Sequence, residues 1–162
     1  MSYLQTALAR LTTWTVSGVL HNIPLVDLPT QINDASLPAL FTLLGDITQT
    51  RSQASQTPAL AQVDFSGAAR YFQIEVTHLL LIARVDLAGG GRSLLPSLVQ
   101  HMDAYINTLQ TDLMLNGLLA RPLNIICRPG VFQSPAAYLD TQWANSRRYF
   151  GCAFVHQWHV LL

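Results

Sequence analysis

The stretch YFGCAFVHQWHVLL (Tyr149–Leu162) places one cysteine and two histidines, Cys152, His156 and His159, within eight residues. It reads either as a metal-binding segment or as a strand that carries imidazoles. Side chains alternate along an extended strand, so Phe150, Cys152, Phe154, His156, Trp158 and Val160 share one face, and Ala153, Val155, His159 and Leu161 share the other. Cys152 and His156 then stand about 13 Å apart at ~3.3 Å per residue, too far for one ion. Zinc wants four close nitrogen or sulfur ligands, and His78 or His101 would have to come from elsewhere without a second Cys/His cluster to complete the set. The spacing predicts a strand and calls for no metal and no cofactor.

Working back from that strand, RYFQIEVTHLLLIARV (Arg70–Val85) alternates Phe72, Ile74 and Val76 with Gln73, Glu75 and Thr77, then becomes wholly apolar. This predicts one long strand, half-buried at first and buried on both faces later, in a hairpin with AQVDF before it. ALFTLLGD (Ala39–Asp46) is a short apolar run closed by Gly45-Asp46 and reads as a buried strand, and PLNIIC (Pro122–Cys127) as a further one. Two helices complete the pattern. Leu4, Ala7, Leu8 and Leu11 recur at helical spacing over residues 2–13, with Ser2 and Gln5 in the form of a capping box. Leu95, Leu98, Val99, Met102, Ile106 and Leu109 form a second stripe, with Ser93 as N-cap and Pro96 in the first turn. The expected fold is α+β: a mixed or mainly antiparallel sheet of about four to five strands with two main helices packed on it. Residues 1–162 make one domain, with a polar arm at 48–57 and a long Pro/Gly/Gln/Asn-rich loop at 128–146.

Composition narrows the function. Half of the residues are hydrophobic and only 11% are charged, against roughly 25% in an average soluble domain. So little charge, at a net charge of zero, favours association, and the missing charge reads as surface covered by neighbouring subunits. Zero net charge also gives no field for steering onto DNA or an anionic membrane. Every basic residue is an arginine, which excludes Schiff-base lysine chemistry and the P-loop lysine and suits bidentate pairing in interfaces. The longest apolar run, Leu79–Ala83, is far short of the ~18 residues of a membrane span. MSYLQTALARL lacks the pattern of a signal peptide, so Cys127 and Cys152 are expected to be reduced residues of a protein made in cytosol. Gly89–Gly91 precedes a helix but fits neither the Walker nor the dinucleotide spacing. Glu75 is the only glutamate, and neither G-x-S-x-G nor H-E-x-x-H occurs, so no catalytic carrier is visible and the chain is expected not to be an enzyme.

The order of segments resembles the phage tail terminator proteins. The residues that carry the likeness are the opening helix followed by "SGV", the LPALFTLLGD strand and the long YFQIEVTHLLLIAR strand. LVQHMDAYINTLQTDLMLNG continues it, as a helix followed by a turn built on Asp112, Leu115 and the Asn116-Gly117 pair. RRYFGCAFVHQWHVLL completes it. The resemblance implies a homohexameric ring in the virion, assembled in host cytoplasm, with the tail tube protein on one side and a neck or connector protein on the other. DNA would pass through the pore without sequence recognition, and no membrane is involved. Arg51, Arg128, Arg147 and Arg148, on the arm and the loop, are the expected contacts to neighbouring subunits or rings. Three alternatives stay open: a neck stopper or tube-like subunit, a small-ligand enzyme using the Gly89–Gly91 turn, and a cellular oligomeric scaffold.

Overall fold

The computed structural model describes residues 2–47, 61–64, 70–86, 91–135, 138 and 147–162, with 61–64 by their backbone. The expected arm at 48–57, with Arg51, lies outside the described residues, as do Gly89, Gly90 and most of 136–146.

The fold is α+β. Helix α1 (Tyr3–Thr12) starts at a capping box: the Gln5 amide donates to Ser2 Oγ and the Ser2 amide donates to Gln5 Oε1, both at 3.3 Å. Six strands follow, β1 (His21–Ile23), β2 (Ala39–Leu44), β3 (Ala61–Asp64), β4 (Tyr71–Arg84), β5 (Asn124–Gln133) and β6 (Arg148–Leu161), with α2 (Leu95–Gln110) between β4 and β5. They form one mixed, mostly antiparallel sheet in the order β1-β2-β4-β6-β5; β1 and β2 run parallel. β6 takes one edge of β4 along its length, so β2 (opposite residues 76–81) and β3 (opposite residues 71–74) lie end to end along the other.

The structure corrects the reading at several places. Arg128–Gln133 is not loop but the second half of β5. Pro129 and Gly130 look like turn punctuation, yet proline is tolerated on an edge strand, and β5 pairs with β6 alone among the described strands. The sheet holds one strand more than expected, because His21–Ile23 inside an irregular connection pairs with β2. Helix α2 is entered through a 3-10 turn, Gly91–Leu94, with Leu94 at the N-cap in place of Ser93. Its buried stripe runs through Leu98, Tyr105 and Leu109, whereas Leu95 and Val99 face outward, 49% and 55% exposed.

β4 and β6 are the spine. Their register slips between Leu81↔Gly151 and Ala83↔Phe150, leaving Ile82 as a bulge residue. A Cβ at Gly151 would stand 1.9 Å from the Leu80 carbonyl oxygen, so only glycine lets the strands approach here. On one face, Val76, Leu80, Cys152, Phe154, Trp158 and Val160 pack under α1 and α2. On the other, Phe41, Leu43, Leu79, Leu81, Tyr149 and Ala153 are buried with Ile32, next to partly buried Leu25, Leu28 and Leu37 of the connection between β1 and β2. Burial of both faces explains the continuous apolar text of β4 and β6.

Candidate functional site

Of the histidines singled out by sequence, His156 and His78 meet in the core, fully buried, while His159 lies on the opposite face beside Tyr71. His156 and His78 are joined through the Tyr105 hydroxyl, which stands 2.6 Å from His156 Nε2 and 2.8 Å from His78 Nδ1. The Tyr105 ring is stacked on Phe154 at 3.7 Å. Beyond His156, the Trp158 indole N–H donates to its Nδ1 at 3.3 Å; beyond His78, Nε2 stands 2.9 Å from Asn22 Oδ1. The Asn22 amide nitrogen donates to the carbonyl oxygens of Leu11 and Trp14, at 3.0 and 3.2 Å.

Both ends fix the direction of this chain independently. An indole N–H only donates, so His156 Nδ1 accepts and its proton sits on Nε2. At the other end two carbonyls hold the Asn22 NH2, so Oδ1 faces His78 and must accept from Nε2–H. Tyr105 therefore accepts from His156 and donates to His78, which leaves every member satisfied and both imidazoles neutral. Burial, joined for His78 by the neighbouring imidazole, holds His78 well below the usual histidine value; burial takes His156 down to about 3. The same burial raises Tyr105 and Cys127 and pushes Cys152 up to about 12, so the thiols near the relay stay protonated. No group of three or more His, Cys, Asp or Glu among the described residues is placed to hold a metal ion.

A second cluster ties the helix layer together. Asp112, just after α2, accepts from Arg10 Nε at 2.7 Å, from the Trp14 indole at 3.2 Å and from the Asn116 amide at 2.8 Å. Burial works against its charge, but these hydrogen bonds and the Arg10 cation outweigh it and hold the carboxyl below its usual range. The turn then runs through three left-handed residues, Leu115 (φ 45°), Asn116 (φ 57°) and Gly117 (φ 81°). Leu115 is fully buried despite that conformation, which costs a residue with a Cβ about 1–2 kcal/mol.

Of the arginines expected at an interface, the three that are described do not converge. Arg128 lies in mid-β5 and pairs with Asp46 at 3.4 Å, while Arg147 and Arg148 are exposed at the start of β6. Arg128 opposes Ala153, five residues from Arg148, or about 17 Å along the strand. What sequence reading missed is the outer face of α2, where Leu95, Val99, Gln100, Asp103, Asn107 and Gln110 are exposed with one charge among them. Beside it a polar groove of about 820 Å³ separates α2 from the Thr15–Gly18 segment. His101 bridges its floor, with Nδ1 2.6 Å from the Ser97 carbonyl and Nε2 3.3 Å from that of Gly18.

No protein-family model matches the chain, and no curated protein matches it. No helix among the described residues is long and apolar enough to cross a membrane. The described residues form an α+β fold in which a hydrogen-bonded relay is sealed inside an apolar core and the outer face of α2 carries a single charge.

Proposed function

We propose that the chain is a structural subunit of a phage virion, a tail terminator that closes into a homohexameric ring on the head-proximal end of the tail tube and joins it to the neck connector.

 The observation that carries this reading is the outer face of α2, where Leu95 and Val99 are half exposed beside a single carboxylate, Asp103. An exterior of this kind favours burial against another chain. Among the described residues the outer edge of β5 pairs with no other strand, and short of Gln133 it adds backbone groups that a neighbouring subunit can use. The clamp at Asp112 and the turn it caps match the segment on which the resemblance to terminators rests. In this reading Arg147 and Arg148 meet a neighbouring ring, Arg128 stays engaged with Asp46, and DNA passes through the pore without being read. The protein would act in the virion after assembly in host cytoplasm and carry no catalytic activity. Removing it from an infection should yield tails of uncontrolled length that lack heads. Normal-length tails joined to heads would refute the reading, and normal-length tails that leak DNA at the neck would replace it with a stopper.

A further inference from the structure

We infer that the Trp158–His156–Tyr105–His78–Asn22 relay is an acid-labile latch between the helix layer and the sheet. A proton taken up at either imidazole leaves one donor without an acceptor, and α1 and α2 lift away while β4 and β6 stay paired.

Within the neutral relay no acceptor is spare, and the buried Thr42 Oγ1 across from His78 hydrogen-bonds to neither ring. A proton on His156 Nδ1 would set an N–H against the Trp158 indole N–H across 3.3 Å. A proton on His78 Nδ1 would point at Tyr105 Oη across 2.8 Å, and the Tyr105 hydroxyl, which already accepts from His156, would lose its own acceptor. The titratable groups near the two rings are each other, Tyr105 from α2, and the thiols of Cys152 on β6 and Cys127 on β5. The segment after α1 contributes the Trp14 indole, β1 the Asn22 amide and β2 the Thr42 side chain, the register partner of His78. Among the described residues no carboxylate contacts either ring, Asp112 standing behind the Trp14 indole, so an imidazolium here has no counter-charge in contact and must reach water.

The geometry also decides which part moves. Both histidines hang from β4 and β6, whose pairing runs from Tyr71↔Leu161 to Arg84↔Tyr149. Hydrogen bonds tie the helix layer to them through the Tyr105 hydroxyl of α2 and through Asn22 of β1, whose amide nitrogen holds the Leu11 and Trp14 carbonyls at the end of α1. Lifting the helices hydrates both rings without breaking the strand ladder.

The closed form takes up protons only well below the ordinary histidine value, so the latch is at full strength above about pH 6.5 and weakens as pH falls. From pH 7.5 to 4.5 the opening equilibrium should rise about 100-fold for each histidine released, or about 10⁴-fold for both. Hydrogen exchange on the full chain, corrected for intrinsic exchange rates, reads this directly. The amides of α2 should show the rise, while those of β4 and β6 change less than about tenfold. In the His78→Gln/His156→Gln variant the rise in α2 should fall to within about tenfold. Should that variant not fold, imidazole nitrogen shifts of the unaltered protein at pH 5.5 serve instead, with both rings expected as the Nε2–H tautomer while α2 is closed. A doubly protonated ring in the closed state overturns the proposal. So does a rise in α2 below tenfold, or simultaneous loss of helix and strand protection.

Discussion

Replacing Asp112 by alanine should cost roughly 2–5 kcal/mol, and the sum can be built from its three partners. The Trp14 indole lies in a side chain only 7% exposed, so its N–H would be left buried without an acceptor, about 1–3 kcal/mol. The Asn116 amide loses a cap on a turn of three left-handed residues, worth about 1 kcal/mol by analogy with helix caps. Arg10 adds little, because its side chain is 43% exposed and such pairs contribute about 0.2–1 kcal/mol. For a chain of this length the loss corresponds to a fall in Tm of roughly 4–20 °C.

Denaturant unfolding of Asp112→Ala, Arg10→Ala and Trp14→Phe, with the Asp112→Ala/Trp14→Phe pair, tests this accounting. Once Trp14 has lost its N–H, removing Asp112 should cost about 1–3 kcal/mol less than in the unaltered chain. The pH dependence separates this clamp from the histidine relay. Asp112 has a lowered folded pKa, so its contribution is present above the unfolded value near 3.9 and is lost as pH falls through the folded one. Between pH 6.5 and 4.5 the aspartate should therefore add no slope. An Asp112→Ala cost under about 0.5 kcal/mol, or an Arg10→Ala cost equal to it, would refute the reasoning, since the buried indole would then not be the dominant partner.

Two other substitutions probe the sheet and the exterior. Gly151→Ala sets a methyl 1.9 Å from a backbone oxygen at the bulge; it should lower stability by more than about 3 kcal/mol or abolish folding, and a change below about 1 kcal/mol would mean the strands can separate there at little cost. Val99→Asp alters a half-exposed side chain and should leave monomer stability within about 0.5 kcal/mol while preventing assembly, read by light scattering or on tail tubes; unchanged assembly would exclude the outer face of α2 from the subunit interface.

Local signals in the sequence carried those elements whose cause is local. The Ser2/Gln5 capping box and the apolar run of β4 each act within a few residues and are found in the structure, while the alternation read through Phe72–Thr77 holds over Gln73–Val76 and ends at Thr77, which is fully buried. β1 is three residues long, too short for a period of two to show. The end of β5 was hidden because Pro129-Gly130 is turn-like unless the strand is known to be an edge. The stripe on α2 was ambiguous for a geometric reason: Leu95/Val99/Met102/Ile106 and Leu94/Leu98/Met102/Tyr105/Leu109 are adjacent rows on one helix, and only the packing shows which row turns inward. The relay was beyond local reading altogether, since Asn22, His78, Tyr105 and His156 are brought together by strand pairing and helix docking across most of the chain.

The division between interior and exterior bears on how such a chain assembles. Both faces of the sheet are covered from within the chain, one by α1 and α2 and the other by the 24–38 connection. The core therefore does not need a partner to be complete, and its hydrogen bonds close on themselves from Trp158 to the carbonyls of α1. Surfaces left for association among the described residues include the outer row of α2 and the outer edges of β1, β3 and β5. These lie on different sides of the sheet order, β1 at one end and β5 at the other, so a contact that joins one end to the other is heterologous. Such contacts close into a ring when the rotation per subunit divides a full turn and otherwise grow into filaments. A scarcity of charge at the joining surfaces lowers the desolvation cost of each contact but supplies little register. On the proposed reading, closure would depend on a template of fixed symmetry such as the end of a tail tube.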